Sequence, residues 1–334
     1  MQGLSQGARR AGAAGRIARL ASGLCRRSGR LLGVGLALAF SLAPRGGRAE
    51  ERPADETLRA IAERGRLIAG YVQAVSKARD LLAKQGVGIA PPDSLVATLD
   101  HDLWTIAFLR DPPRDEAPGM PRRGTLLLGA ADYSESTGEA GTLRSMVPPQ
   151  TAPATLVSYG RALKVAETAA ADRATGTPKE HDASIVRERD GSFTIYLIPK
   201  PEDPSRVPFG TDLVIRVAAN GRQLQTLDPL HTEGAEVPLA GRAAGRPTLH
   251  IHKSGDLPTP TDVALVLLHA GLAPHLVLTP HFIFRIDAEG TITYLGPNQT
   301  TPAPPAGAPG ATPAPAAPGP PASGPAPSRR GGVR

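Results

Sequence analysis

The sequence predicts an α+β protein. Helices occupy the N-terminal part, a mainly antiparallel or mixed sheet with a covering helix forms the C-terminal part, and a Pro/Ala/Gly tail follows without order. Three observations predict this. Apolar residues recur at helical spacing between Asp55 and Lys84. Short β-branched and aromatic runs separated by turn signals fill residues 185–298. Residues 301–334 contain eleven prolines and no aromatic residue, so they have nothing with which to build a core.

The elements follow in order. Asp55 to Lys84 reads as a helix, with Leu58, Ile61, Ile68, Val72, Val75 and Leu82 on an apolar stripe and Asp55 and Glu56 in the first turn. Gly86 and Gly88 end it, and Pro91-Pro92 reinforce the stop. Leu103–Leu109 and Gly124–Ala131 read as paired strands. Ala152 to Ala171 is a second helical stretch, and residues 172–183 read as a polar linker. Strands are expected at 192–198, 211–217 and 223–227, the last two joined across Asn220-Gly221. Further strands are expected at 248–252, 276–278, 282–286 and 291–295, the final pair closing over Asp287-Ala-Glu-Gly290, with an apolar stretch from Val263 to Ala270. The implied organisation is a targeting segment (1–49), a helical and hairpin region (50–184), a mixed-sheet domain (185–298) and the tail (299–334). Residues 50–298 can also be read as one domain.

The ends carry the charge. The whole chain has 38 basic and 31 acidic residues, a formal net charge of +7. Residues 1–49 hold nine Arg and residues 301–334 hold three, neither with an acid, which leaves 26 basic against 31 acidic residues between them. That mildly acidic middle excludes a nucleic-acid partner, which needs a basic face. Leu31 to Ala43 is an uncharged run behind a basic lead, too short for the ~20 residues of a membrane span and suited to the apolar core of a secretory signal. Export to the periplasm, cell envelope or exterior is therefore expected, with membrane contact only through this segment if it stays uncleaved. Cys25, the single cysteine, precedes the apolar run, so the mature chain would have no disulfide and no thiolate ligand.

Asp190–Pro199, Pro208–Gly210, Arg216–Gly221, Pro258–Val263 and the strand pair Phe282–Leu295 follow an order that resembles uncharacterised secreted bacterial proteins, over roughly residues 95–298. The resemblance implies an exported domain and no particular activity.

One constellation carries chemistry. His250-Ile251-His252 on a strand would turn both imidazoles to one face, and Asp262 follows ten residues later. Two His and one carboxylate are the count of a zinc hydrolase site with an open water position. The segment resembles the JAMM (MPN-domain) metalloprotease motif. That resemblance implies His250, His252 and Asp262 as metal ligands, Thr259 in place of the motif's Ser, and an upstream general base, for which Glu188 is the best-placed candidate. Lys253 stands where the family usually has Pro, and the gap to Asp262 is one residue short. The same residues also make a good helix start, with Thr259 or Thr261 as N-cap, Pro260 in the first turn and Asp262 at the positive end. Of the other histidines, His101, His181 and His231 fall in polar loops and read as solvated. His269, His275 and His281, beside apolar segments, read as ordinary partly buried side chains.

No Gly-x-Ser-x-Gly, Walker loop or His-Glu-x-x-His occurs. Two functions stay open on the sequence. One is an exported binding or structural protein with an envelope or extracellular partner and no established cofactor. The other is a JAMM-like zinc hydrolase of peptide, isopeptide or similar amide bonds.

Overall fold

The computed structural model describes residues 52–85, 89–112, 124–173, 180–232, 234–239 and 245–299. The targeting segment, the tail, Gly86 and Gly88 lie outside them. The fold is α+β, as the patterning predicts. The described residues up to Asn298 belong to one compact unit.

Helix α1 (Asp55–Gln85) is the longest element at 31 residues. It is followed by a meander of strands β1 (Ser94–Asp100), β2 (Leu103–Arg110), β3 (Leu126–Ser134) and β4 (Arg144–Thr151), all antiparallel in the order β1-β2-β3-β4. The expected pairing of 103–109 with 124–131 is present in β2 and β3. In outer strand β4, only Arg144, Ser145, Gln150 and Thr151 have ladder partners, and the stretch between them, including Pro148 and Pro149, leaves the ladder. Helix α2 (Ala154–Arg173) comes next, and then β5 (His181–Arg187). The polar linker expected at 172–183 is therefore corrected at both ends. The helix runs on to Arg173, and the strand starts at His181, because pairing with β6 overrides the weak propensity of His181-Asp182.

Strands β5, β6 (Phe193–Pro199), β8 (Leu213–Val217) and β9 (Leu224–Pro229) form an antiparallel sheet in that order. Its β8–β9 hairpin turns at Gly221, whose φ of 69° is open to glycine and whose N–H donates to Ala218 O at 2.8 Å. Short strands β7 (Arg206–Phe209) and β10 (Ala235–Pro238) pair with each other. The last sheet is mixed. β11 (Thr248–Ile251) runs parallel to β12 (His275–Leu278), and β13 (Phe282–Ile286) and β14 (Ile292–Pro297) continue it antiparallel. A parallel pair needs a crossover, and α3 (Pro260–Leu268) with a short 3-10 turn supplies it. The apolar stretch 263–270 thus falls on the helix that covers this sheet as far as Leu268, and ends in the 3-10 turn.

Two apolar cores result, and α1 enters both. Tyr71, Ala74, Val75 and Ala78 of α1 join Trp104, Phe108, Leu127, Leu163, Phe193 and Ile215 in one. Leu58, Ile61, Ile68 and Val72 join Val207, Phe209, Val263, Leu265, Val277 and Phe284 in the other. Close approach of α1 to α3 depends on Gly65. A Cβ there would lie 2.5 Å from Val263 Cβ and 2.8 Å from Pro260 O. The two strand ends that flank the second core, at Phe209 and His250, position the site.

Candidate metal centre

Four titratable side chains converge beside the second core: His231, His250, His252 and Asp262. One ligand atom from each lies within 4.8 Å of the others. Alternation along β11 explains the pair. Thr248, His250 and His252 point inward and are buried, whereas Leu249 and Ile251 point out and are exposed. Asp262 arrives from the first turn of α3. Thr259 is the N-cap, its Oγ1 accepts from Asp262 N at 3.2 Å, and Asp262 Oδ2 accepts from Thr259 N at 2.7 Å. The capping role does not draw Asp262 away from the histidines. Oδ2 closes the capping box and also lies near His252, and Oδ1 faces His231 and His250.

His231, read from the sequence as a solvated loop residue, is instead nearly enclosed, its side chain 7% exposed. It sits just past β9, where Asp212 receives it. His231 Nδ1 lies 2.5 Å from Asp212 Oδ1. Asp212 is itself buried and accepts from the Thr261 hydroxyl. The residue before it, Thr211, has φ 63°, a left-handed conformation that a β-branched residue rarely adopts. Strain of this kind, held in place by its surroundings, commonly marks a functional position.

The hydrogen-bond directions are decisive. His252 Nδ1 is 3.1 Å from Leu257 O, and a carbonyl only accepts, so that nitrogen carries the proton. His231 Nδ1 donates to the Asp212 carboxylate in the same way. The Nε2 atoms of both rings therefore aim at the centre. They stand 2.9 Å apart, a contact that needs a proton or a cation between the two nitrogens. His252 Nε2 is 3.2 Å from Asp262 Oδ2, and His231 Nε2 is 3.3 Å from Asp262 Oδ1. His250 Nε2 lies 3.2 Å from Asp262 Oδ1, yet neither atom has a hydrogen-bond partner. Buried polar atoms are seldom left so, because each costs about 1–3 kcal/mol.

The electrostatics agree with this crowding. Burial lowers His231's affinity for its proton, but the nearby Asp212 and Asp262 carboxylates outweigh it and raise the pKa to about 10. Burial lowers that of His250, against the attraction of Asp262. Burial would raise the Asp262 carboxyl, but His250, His252 and His231 hold it well below its ordinary value, so it is an anion.

A divalent ion answers all of these demands. Zinc takes imidazole nitrogens and carboxylate oxygens at about 2.0–2.2 Å, and the edge of such a tetrahedron is roughly 3.3 Å. The contacts of 2.9–3.3 Å across the cluster are close to that edge. Every coordinating ring also has its other nitrogen anchored, as in established metal sites.

The residues expected from the sequence divide. His250, His252 and Asp262 come together. Thr259 lies beside them as a cap, its hydroxyl 2.9 Å from that of Thr261. Glu188 is not brought into the group. It directly follows β5, and Arg64 of α1 holds its carboxylate with two hydrogen bonds of 3.0 and 3.2 Å. His231 and Asp212 were missed. Their only sequence signals were an acid opening an otherwise apolar strand and a His nineteen residues before the pair. No family model, curated protein or solved structure matches this chain.

Proposed function

We propose that this chain is an exported protein whose C-terminal half is organised by a buried zinc centre, with His231, His250, His252 and Asp262 as ligands and a binding or structural role. The observation that carries this reading is the unpartnered pair of buried atoms, His250 Nε2 and Asp262 Oδ1, facing each other beside two further inward-facing imidazole nitrogens. A set of three imidazoles and one carboxylate without thiolate suits zinc. Four protein donors fill a tetrahedron, which favours a closed site over one that holds a reacting water. Bound metal would tie the segment after β9, the end of β11 and the start of α3 into one unit. Export rests on the basic lead and apolar run of residues 1–43, and the mass of the mature N-terminus tests it.

Elemental mass spectrometry of the dialysed full chain tests the centre, with wild type beside His252→Ala. About one zinc per wild-type chain, lost in the variant, is expected. A wild type that takes up no metal after zinc loading overturns it.

One observation favours the JAMM-like hydrolase as a second reading. His231 backed by Asp212 has the form of a general base held by a carboxylate. With His231 off the metal, the fourth position would be open to water, and this dyad, rather than Glu188, would take the water's proton and pass it to the leaving amine. Amide cleavage by zinc-loaded wild type, abolished in His231→Ala with zinc retained, would establish that reading over the closed site.

A further inference from the structure

The metal reading leaves one buried histidine unused. His275 on β12 is fully enclosed and is not one of the four grouped side chains. Its hydrogen bonds nevertheless run straight to the site. Thr248 Oγ1 lies 2.5 Å from Leu272 O and 2.5 Å from His275 Nδ1. His275 Nε2 lies 2.7 Å from His250 Nδ1. A hydroxyl has one proton, and the Leu272 carbonyl can only accept, so Thr248 spends its proton there. Thr248 Oγ1 must then accept from His275 Nδ1–H. A neutral imidazole carries one proton, and in this ring it sits on Nδ1. His275 Nε2 is thus left as an acceptor, and the proton of His250 is drawn to Nδ1. That leaves the His250 Nε2 lone pair pointing at Asp262. Phe209 stacks on both rings, with centroids 4.4 Å from His250 and 4.6 Å from His275, and restrains their planes.

We propose that His275 is the positioning residue of the metal centre: through the one-way chain His250 to His275 to Thr248 to the Leu272 carbonyl, it fixes the tautomer of His250 and aims its Nε2 at the metal. The proposal rests on the zinc reading. It also explains why two histidines that do not both bind metal are packed together. Partners of metal-bound histidines are typically worth 10- to 100-fold in metal affinity.

Zinc affinity of the full chain, measured by competition with a chromophoric chelator, tests it in wild type, His275→Phe and His275→Gln. His275→Phe keeps the ring's bulk and its stacking but removes the acceptor. It is expected to weaken zinc binding about 10- to 100-fold and to change the visible absorption of the cobalt-loaded protein. Gln, whose amide oxygen can accept from His250 Nδ1–H, should restore most of the affinity. A His275→Phe variant that binds zinc as tightly as a zinc-binding wild type overturns this proposal and leaves the zinc reading standing. A wild type that binds no zinc overturns the zinc reading instead. Should His275→Phe fail to fold, long-range nitrogen–proton spectra of the wild type decide. Protons on Nδ1 of both His250 and His275 support the chain, and a proton on Nε2 of His275 overturns it.

Discussion

The two cores of this protein are built on the same helix but satisfy their polar groups differently. Around the first, protein atoms suffice. Trp104 Nε1 donates to Glu135 at 2.5 Å, and Tyr71 Oη accepts from Ala97 N at 3.4 Å. Beside the second, three imidazoles and a carboxylate are drawn together, and two of their atoms are left without partners. On the zinc reading, the first core is satisfied by its own amino acids, whereas the second would be completed by the metal. A buried polar cluster is costly when half satisfied and rigidifying when complete. On that reading, the order of the second core depends on the bound metal.

The largest expected effect comes from removing metal. At free zinc 1,000-fold above its dissociation constant, binding adds about 4 kcal/mol to the stability of the folded state. Chelation should lower the unfolding midpoint accordingly, and hydrogen exchange should rise first in β11 and α3, with β2 and β3 still protected. Uniform loss of protection across both halves would erase the contrast. Next comes Phe108→Ala, which hollows the first core where the ring is fully buried. It should cost about 3 kcal/mol or more by chemical denaturation, with zinc content unchanged. Gly65→Ala forces a Cβ into Val263 at the contact of α1 with α3. A loss of about 1–3 kcal/mol is expected, with weaker zinc retention because Asp262 rides on the displaced helix.

Smaller effects sharpen the assignment of roles. Glu188→Gln should leave zinc stoichiometry unchanged and cost about 1 kcal/mol at most, since Arg64 and Glu188 are both partly exposed. A lost metal in that variant would return Glu188 to the site. Smallest is Asp111→Asn on the rim of the first core. Burial would raise the Asp111 carboxyl, but Lys164 and Thr125 outweigh it and hold it below its ordinary value. Its contribution is therefore present above the unfolded-state pKa and is lost as pH falls through the lower folded value. Because the pair is near half exposed, the difference from wild type should stay under about 1 kcal/mol and vanish in acid.

What the sequence made legible follows from range. The helix of Asp55–Gln85, the β8–β9 hairpin over Asn220-Gly221 and the inward pairing of His250 with His252 depend on neighbours in sequence, and each could be read from spacing. Strands β4 and β10 could not, because their ladders are short and carry prolines, against strand propensity. The site was half legible for the same reason. Asp262 lies ten residues from His252 and shares a βα unit with it. His231, by contrast, reaches the cluster through Asp212 and Thr261, a contact made only where the residue before β8 meets the first turn of α3. Glu188 was chosen for its place in chain order, and the fold gives it to Arg64.

Outer strand β4 has a consequence for the molecule among copies of itself. An open sheet border is a template on which another chain can add a strand. Here Val147, 83% exposed, would be the natural point of nucleation. Pro148 and Pro149 follow it, so two successive positions have no N–H to offer, and the backbone there has already left the ladder. A newcomer could bond neither continuously nor in register along this border. Replacing both prolines would turn a silent margin into an adhesive one, and the protein's tolerance of high concentration would fall with it.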